Sequence, residues 1–523
     1  MNLWFLFFWL FLSPANGQAD RQVGMALIER AQNAYETGDY LSAARDFEQY
    51  YRDHSDAEFA SLALMNAAIG YEQVPDMDRA MSLYEEFANR FETDANAPHI
   101  LMRLGTKYLQ WLELEKAKKN LIRLVEQHPK DELSRDLMFD LASLHLAMDE
   151  YDDAARYYLE VAKTPGDGAD QALYQAARAY RAGGNTSKAL ETFDEFVRRY
   201  RDENPLRSIM VLDEQIQIQL DLNDKRSAGE TRKALLHVFR QVPRDELPSS
   251  AIEAAARAAL VDLLAELAEY EAIQLPKTLK TKKVSPILNK KSTMALDLTD
   301  RADEFLMEFP SSEALAASVF IQGRVLQGQA EMIQDWSPSF PKSFGPEEQD
   351  AFADKKDDLV EPFVDGALQR YQSLYERGWS GQRNSIWADK VRDELHSLSP
   401  GEFPKFRAFK LMFGLFPHEP VCGELCESVD LDCRVALARC AAAEGQDIAA
   451  AMRSVVKLDP FHGDAYAWLA DQYLREGKLE MAFFVAQNGQ WSAMDGGKPS
   501  PALACEYALI LRERGRAFDA YGA

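Results

Sequence analysis

Along the first two hundred residues, apolar side chains recur at helical spacing in short runs punctuated by Gly, Asn, Asp and Pro. Small residues mark the rhythm: Ala43, Ala80, Ala117, Ala154 and Ala189 stand 37, 37, 37 and 35 residues apart. Four residues after each comes a bulky side chain (Phe47, Tyr84, Leu121, Tyr158, Phe193), and seven after comes another (Tyr50, Phe87, Leu124, Val161, Phe196). Offsets of 0, 4 and 7 fall on one face of an α-helix. A small residue there lets a second helix approach closely, while the large ones fill the next groove. A partner helix precedes each Ala, as in Leu104-Gly105-Thr106-Lys107-Tyr108, with Tyr71 and Tyr180 at the same Tyr position of the second and fifth units. The turn between the helices reads Gly38-Asp39-Tyr40 in the first unit and Gly183-Gly184-Asn185 in the fifth. Gly serves there because the chain leaves a helix through a left-handed conformation. The pattern predicts an all-α chain of helical hairpins, with five units over 20–205.

A second array is expected over 421–523. Tyr466, Trp468, Leu469, Ala470 and Tyr473, followed by Gly477 and Ala482, repeat the spacing; a weaker unit precedes them with Gly445, Ala450 and Pro460, and a partial one follows with Gly515 and Ala520. Between the arrays the pattern loosens. Residues 205–241 read as a sixth, degenerate hairpin and 249–273 as a long helix, together a 206–275 segment. The stretch 276–292 breaks the pattern and reads as a Lys-rich linker. An irregular helical region, 293–420, contains helical segments at 293–309, 312–336, 347–376 and 385–398, a Pro-rich loop at 336–346 and an aromatic-rich irregular stretch at 400–420.

The repeated residues resemble the tetratricopeptide repeat family, whose unit is a helical hairpin of about 34 residues. The longer step is similar to that of exported bacterial members, including the coordinator of the Tol–Pal envelope system. Ala367-Leu368-Gln369-Arg370-Tyr371, Trp387 and 395–404 look like the non-repeat half of periplasmic repeat proteins linked to gliding-motility machinery in myxobacteria and relatives. The resemblance implies a solenoid in two arrays around an irregular middle. It also implies a non-enzymatic scaffold of the bacterial cell envelope, recruiting other envelope proteins or peptides in a motility or envelope-spanning machine. A periplasmic assembly chaperone for outer-membrane or secreted proteins is the alternative.

In this family the first helix of each hairpin lines the concave face. Projected onto this chain, that face comprises Ile28, Gln32 and Tyr35; Met65 and Ile69; Met102, Thr106 and Leu109; Phe139, Ser143 and Leu146; and Tyr174, Arg178 and Arg181. The expected groove is largely apolar with a cationic end, fit for an extended segment or helix with an acidic end. The three extra residues per unit could instead change the superhelical pitch and bury part of it.

The N-terminus adds a location. The first 19 residues carry no charged side chain, and 4–12 form an unbroken apolar run followed by Ser13-Pro14-Ala15. That is the layout of a secretory signal peptide over 1–19, and the run is shorter than the roughly 20 residues that span a bilayer. Export to the periplasm is expected, with an uncleaved anchor as the alternative. The balance of 47% hydrophobic and 27% charged residues is that of an ordinary folded chain. A formal net charge of −25 argues against a nucleic-acid partner, since phosphate binding needs a dense cationic face. One local exception stands out: Lys277, Lys280, Lys282, Lys283, Lys290 and Lys291 crowd fifteen residues. They read either as a solvated linker or as a patch for an anionic partner at the membrane or cell wall.

Candidate chemistry is sparse. Cys422, Cys426, Cys433, Cys440 and Cys505 match no zinc or haem spacing. Outside the cytoplasm clustered Cys default to disulfides, with buried thiols or a metal site as alternatives, and one of five stays unpaired in a monomer. On one continuous helix Cys433 and Cys440 would lie about 10.5 Å apart along the axis, beyond the roughly 7 Å that a disulfide allows. His418 and Glu419, flanked by Pro417 and Pro420, have no second His beside them. A wall-cleaving enzyme is the competing class, because soluble lytic transglycosylases also pair helical superhelices with export. Their Glu-Ser-x-Phe signature meets only Glu427-Ser428-Val429-Asp430 here, without the aromatic. No Gly-x-Ser-x-Gly or phosphate-cradling loop occurs either. No catalytic residue, metal or cofactor is expected.

Overall fold

The computed structural model describes residues 18–403, apart from 75, 165, 167 and 377–385, together with 435 and 448–513. Among the described residues there are 21 α-helices and no strand; one isolated bridge joins Thr278 and Ser339. The chain forms two compact units, one of residues 1–161 with 420–506 and the other of 162–419 with 507–523. The all-α repeat architecture is as the periodicity predicts.

The first unit opens with four hairpins: α1 (Gln18–Glu36) and α2 (Tyr40–Asp53), α3 (Ala60–Gln73) and α4 (Met77–Arg90), α5 (Ala97–Gln110) and α6 (Leu114–Gln127), α7 (Glu132–Ala147) and α8 (Tyr151–Lys163). In α2, α4, α6 and α8 the marker Ala is the fourth helical residue, and Ala43, Ala80, Ala117 and Ala154 are each 0% exposed. Phe47, Tyr84, Leu121 and Tyr158 are buried one turn later; full burial of a side chain of this size contributes about 2–3 kcal/mol. Two contacts show how tight the fit is. A Cβ added at Gly70 would lie 2.9 Å from the Ala44 Cβ, and one added at Gly105 would lie 2.5 Å from Leu121 Cδ2.

Turn chemistry explains where the helices stop. Five of the first helices pass to their second through three residues whose middle one is left-handed: Gly38 (φ 82°), Leu112 (56°), Asp149 (61°) and, in the second unit, Gly184 (76°) and Asn223 (59°). The third residue caps the next helix in several turns. Asp39 accepts from Ser42 N, Asp76 from Arg79 N, Asn185 from Lys188 N and Asp224 from Ser227 N, filling an orphan donor of the helix start. The 37-residue step is two 14-residue helices, this turn, and a six-residue return at 54–59 and 91–96. At α7 the helix lengthens to 16 residues and the return shortens in compensation.

The second unit contains α9 (Ala169–Ala182) and α10 (Thr186–Tyr200), then α11 (Pro205–Asp221) and α12 (Lys225–Gln241), which form the expected degenerate hairpin. Longer helices follow: α13 (Ser249–Glu271), α14 (Thr281–Glu308), α15 (Ser312–Gln334), α16 (Pro346–Glu376) and α17 (Ile386–Leu398). At the centre, α15 packs against α13, α14, α16 and α17. Glycines make this possible. Gly323 receives the Tyr371 ring so closely that no side chain fits, and Gly328 receives Tyr270. The two phenols then bond inward, Tyr371 Oη to Gln327 Oε1 (3.2 Å) and Tyr270 Oη to the Val325 carbonyl (2.6 Å).

The expected linker at 276–292 is mostly helix. Only 273–280 is irregular; α14 starts at Thr281 and carries Pro286 inside it. Proline removes one backbone bond, a cost of about 3 kcal/mol. Burial of Val284, Leu298, Ala302 and Phe305 along the same helix offsets that cost. Lys291 is the clearest departure from the solvated patch. It is 1% exposed, with Nζ 2.9 Å from the Tyr270 carbonyl and 3.5 Å from that of Ile273, and it sits 4.1 Å from the Tyr270 ring centre. The ammonium thereby caps the C-terminus of α13, where cations are favoured. Desolvation pulls its pKa down, opposed by Glu271 and Glu331.

The described C-terminal helices are α18 (Ala449–Leu458), α19 (Gly463–Arg475), α20 (Leu479–Asp495) and α21 (Pro501–Glu513), with a left-handed Gly477 (φ 77°) turning α19 into α20. Helices α18 to α20 belong to the same unit as the first four hairpins. No described helix is long and apolar enough to cross a membrane.

Two glycine substitutions separate backbone conformation from packing. Neither Gly184 nor Gly229 has any atom within 4 Å of an added Cβ, but Gly184 has φ +76° while Gly229 lies within α12. Gly184→Ala is expected to destabilise the chain by about 1–2 kcal/mol, and Gly229→Ala to stabilise it by roughly 0.5–1 kcal/mol. Urea unfolding followed by circular dichroism checks both; effects of the same sign would refute this account.

Candidate functional site

In the first unit, α3 and α5 each pack against the second helix of their own hairpin and against that of the hairpin before, leaving one long side of each first helix uncovered by them. On that side the projected positions keep some exposure: Gln32 is exposed, while Ile28, Tyr35, Met65, Ile69, Met102, Thr106, Phe139 and Ser143 are half-buried. Leu109 and Leu146, at the helix ends, are buried. The polar members are partly spent on the fold. Thr106 Oγ1 bonds back to the Met102 carbonyl (2.9 Å), and Ser143 Oγ contacts the Phe139 carbonyl (3.0 Å) and Tyr158 Oη (2.8 Å). The result is a strip of Met, Ile and Phe side chains without many competing polar groups.

Charged groups flank the strip. Arg103 Nη1 reaches Glu72 (3.2 Å) and Tyr84 Oη (3.1 Å), while Tyr84 Oη donates to Glu72 (3.0 Å), closing a triangle between α3, α4 and α5. Two further charges have no such closure. The side chains of Lys107 on α5 and Asp140 on α7 make no hydrogen bond or ion pair among the described residues. Desolvation lowers the Lys107 pKa against the opposing pull of Glu72, and it pushes the Asp140 carboxyl up to about 6. Sequence reasoning passed over both, because each stands one position beyond the apolar residues chosen for the groove.

One end of these helices is met by the C-terminal array. Helix α20 packs against α7 and α5. Tyr466 Oη on α19 lies 3.0 Å from the Gln110 carbonyl at the end of α5. Lys457 Nζ on α18 pairs with Asp78 at 2.6 Å and sits 5.0 Å from the Trp111 ring centre. The open part of the strip therefore lies toward Ile28, Met65 and Met102.

The expected cationic end is not a free one. Tyr174, Arg178 and Arg181 belong to the second unit and converge on one carboxylate of α11, with Glu214 at 2.6 Å from Tyr174 Oη, 3.1 Å from Arg181 Nη1 and 3.6 Å from Arg178 Nε. The neutralising residue lies one hairpin further along, where the sequence projection did not look. Of the lysine patch, Lys277, Lys280, Lys282, Lys283 and Lys290 are exposed, while Lys291 is buried as described. Cys505 is exposed on α21 and has no disulfide partner among the described residues; Cys422, Cys426, Cys433 and Cys440, with His418 and Glu419, lie outside the described residues. Among the described residues no group of three His, Cys, Asp or Glu side chains could hold a metal ion.

The fold is that of a tetratricopeptide-type helical repeat protein, a class whose members generally bind other proteins or peptides and are generally not catalysts. A family model for the tetratricopeptide repeat matches residues 171–202, which are α9 and α10. No protein of curated function matches the sequence. Among solved structures the chain is similar to Naa15/Naa10 bound to HypK-THB, at 14% identity over 96% of this chain and 75% of that one, with a TM-score of 0.34. It is similar to MamA protein at 17% identity, over 35% of this chain and 96% of that one (TM-score 0.25). It also resembles a tetratricopeptide repeat protein from Parabacteroides merdae at 14% identity, over 55% and 100% of the two chains (TM-score 0.25). These scores are low, and function is argued below from the chain's own surface.

Asp140 yields a pH test. Its folded pKa is raised above that of an unfolded Asp, so stability linked to it is fully present below about pH 4 and lost as pH rises through about 6. Asp140→Asn is expected to raise stability at pH 7 by on the order of 1 kcal/mol, allowing for solvent screening, and to change little below about pH 4. A wild-type minus variant difference that stays flat across that range in thermal melts would contradict the assignment.

Proposed function

We propose that the protein is a non-enzymatic scaffold of the bacterial cell envelope, exported by its N-terminal segment, that holds partner proteins on the first-helix face of its first unit. The observation that carries this reading is the half-exposed strip of Ile28, Met65, Ile69, Met102 and Phe139, on helices that also bear the unpaired Lys107 and Asp140. An apolar strip of this kind marks an interaction surface. A desolvated charge that makes no close ion pair lowers stability, and Glu72, already engaged by Arg103, offsets this only in part for Lys107; a partner of complementary charge reduces the cost on binding. The occupant that fits is an amphipathic helix or extended segment: apolar side chains for the strip, with a carboxylate reaching Lys107 and a cation reaching Asp140.

Export rests on the uncharged, apolar first 19 residues. The envelope setting, whether a motility machine or another spanning assembly, rests on the resemblance of the lengthened repeats and the middle region. N-terminal sequencing of the fractionated protein tests export directly. A periplasmic chain starting after Gly17 or Ala19 supports it, and a cytoplasmic chain with an intact N-terminus refutes it.

The binding face is tested by photo-crosslinking in cells. A crosslinker at Met65 or Met102 is expected to trap a defined protein, whereas one at the exposed Lys119 on α6 is not. Lys107→Glu should weaken that capture at least about tenfold, corresponding to ~1.4 kcal/mol. Equal trapping from both faces, or capture indifferent to Lys107→Glu, would refute the assignment.

A further inference from the structure

The second unit carries a surface unlike the rest of this acidic protein. The irregular 273–280 segment and the 335–345 loop are joined along their length. Thr278 bridges Ser339, Ser339 N donates to the Lys277 carbonyl (3.4 Å), and Trp336 Nε1 donates to the Pro276 carbonyl (2.9 Å). Above this junction four aromatic rings gather. Phe340 stacks on Phe344 at 5.6 Å between ring centres and meets Phe352 edge-on at 5.3 Å, and Phe352 meets Trp336 at 5.5 Å. All four remain half-exposed.

Lysines stand close to the rings along both segments of the junction. Lys277 and Lys280 lie on the bridged segment, Lys342 lies between Phe340 and Phe344, and Lys282 and Lys283 open α14. These side chains are exposed and make no ion pair or side-chain hydrogen bond among the described residues. That is unusual company in a chain with 84 acidic against 59 basic residues. Helix α16 then sorts its charges by side. Phe352, Lys355, Lys356 and Leu359 share one face by spacings of three and four, and Lys356 Nζ ties that face to the Gln334 carbonyl at 2.7 Å. Glu347, Asp350, Asp354, Asp357 and Glu361 fall on the opposite face. Leu359 is 60% exposed. Basic and apolar groups are thus collected on one side; Glu348, four residues before Phe352, shares that side and accepts from Gly345 N at 2.8 Å, while the five carboxylates named above face away.

We propose that this aromatic and lysine-rich end of the second unit docks on an anionic lipid bilayer, independently of what the first unit holds. Lysine ammonium groups meet headgroup phosphates, and the Phe and Trp rings sit at the headgroup level where such side chains partition. The net charge of −25 does not forbid this, because charges farther than a Debye length, about 8 Å at physiological salt, are largely screened from the surface. Each lysine near an anionic leaflet favours binding by about fivefold.

Vesicle flotation of the purified full chain tests the proposal. The chain is expected to float with phosphatidylcholine vesicles containing phosphatidylglycerol, not with phosphatidylcholine alone, and to be released by added salt. Replacing Lys277, Lys280, Lys342 and Lys355 by Gln should lower binding by more than about a hundredfold. Replacing Lys119, Lys130, Lys225 and Lys233 by Gln, an equal charge change elsewhere, should leave it unchanged. Phe344→Ala should weaken binding without altering its salt dependence. The idea is overturned if the wild-type chain ignores the anionic vesicles, as it would if an acidic protein were the true partner, or if the two quadruple variants bind alike.

Discussion

Everything in the repeat array depends on how closely two helices approach at the fourth residue of each second helix. Ala43, Ala80, Ala117, Ala154 and Ala189 are wholly buried there. Gly70 against Ala44 and Gly105 against Leu121 press the same constraint from the first helix. Once backbones are this close, the bulky residues one and two turns later have nowhere to go but the groove between hairpins. Their packing in that groove helps set how the helices stack.

Polar contacts then set which hairpin follows which. Arg52 pairs with Glu86 at 2.8 Å, Arg90 with Asp56 at 2.7 Å, Lys118 with Glu150 at 2.7 Å and Arg207 with Asp170 at 2.6 Å, each about one repeat apart in sequence. Exposed pairs of this kind contribute little individually, about 0–1 kcal/mol. Their regular separation matters more, because a slipped stack would leave several of them broken together. The second unit relies on a different device. Arg324 lies 2.7 Å from Glu271, 3.2 Å from Glu331 and 3.6 Å from Glu394, binding α13, α15 and α17 around one guanidinium. Three carboxylates about one cation raise its pKa against the opposing desolvation.

The two proposed binding surfaces share a physical logic. On the first-helix face of the first unit, apolar side chains and unpaired charges persist because helix packing is satisfied elsewhere. At the end of the second unit, lysines persist without carboxylate partners among the described residues, although carboxylates abound in the chain. In each place the fold leaves groups unsatisfied that it could have satisfied, and such departures are where interaction is expected. The C-terminal helices limit the first surface by packing on α5 and α7, so part of a long groove is spent within the chain itself.

The period of small and bulky residues by itself determined the helices, their turns and the all-α repeat class, because a helix face and a left-handed turn residue are local demands written at fixed spacing. It located the degenerate hairpin at Pro205–Asp221 and Lys225–Gln241 just as well. What sequence could not show was which distant groups meet. Lys291 read as a solvent-facing lysine, yet it caps α13 from twenty residues away; Arg178 and Arg181 read as a cationic groove end, yet Glu214 neutralises both. Tyr466 reaches Gln110 across more than three hundred residues. Charge and burial are properties of neighbours in space, and only the tertiary structure decides who those neighbours are.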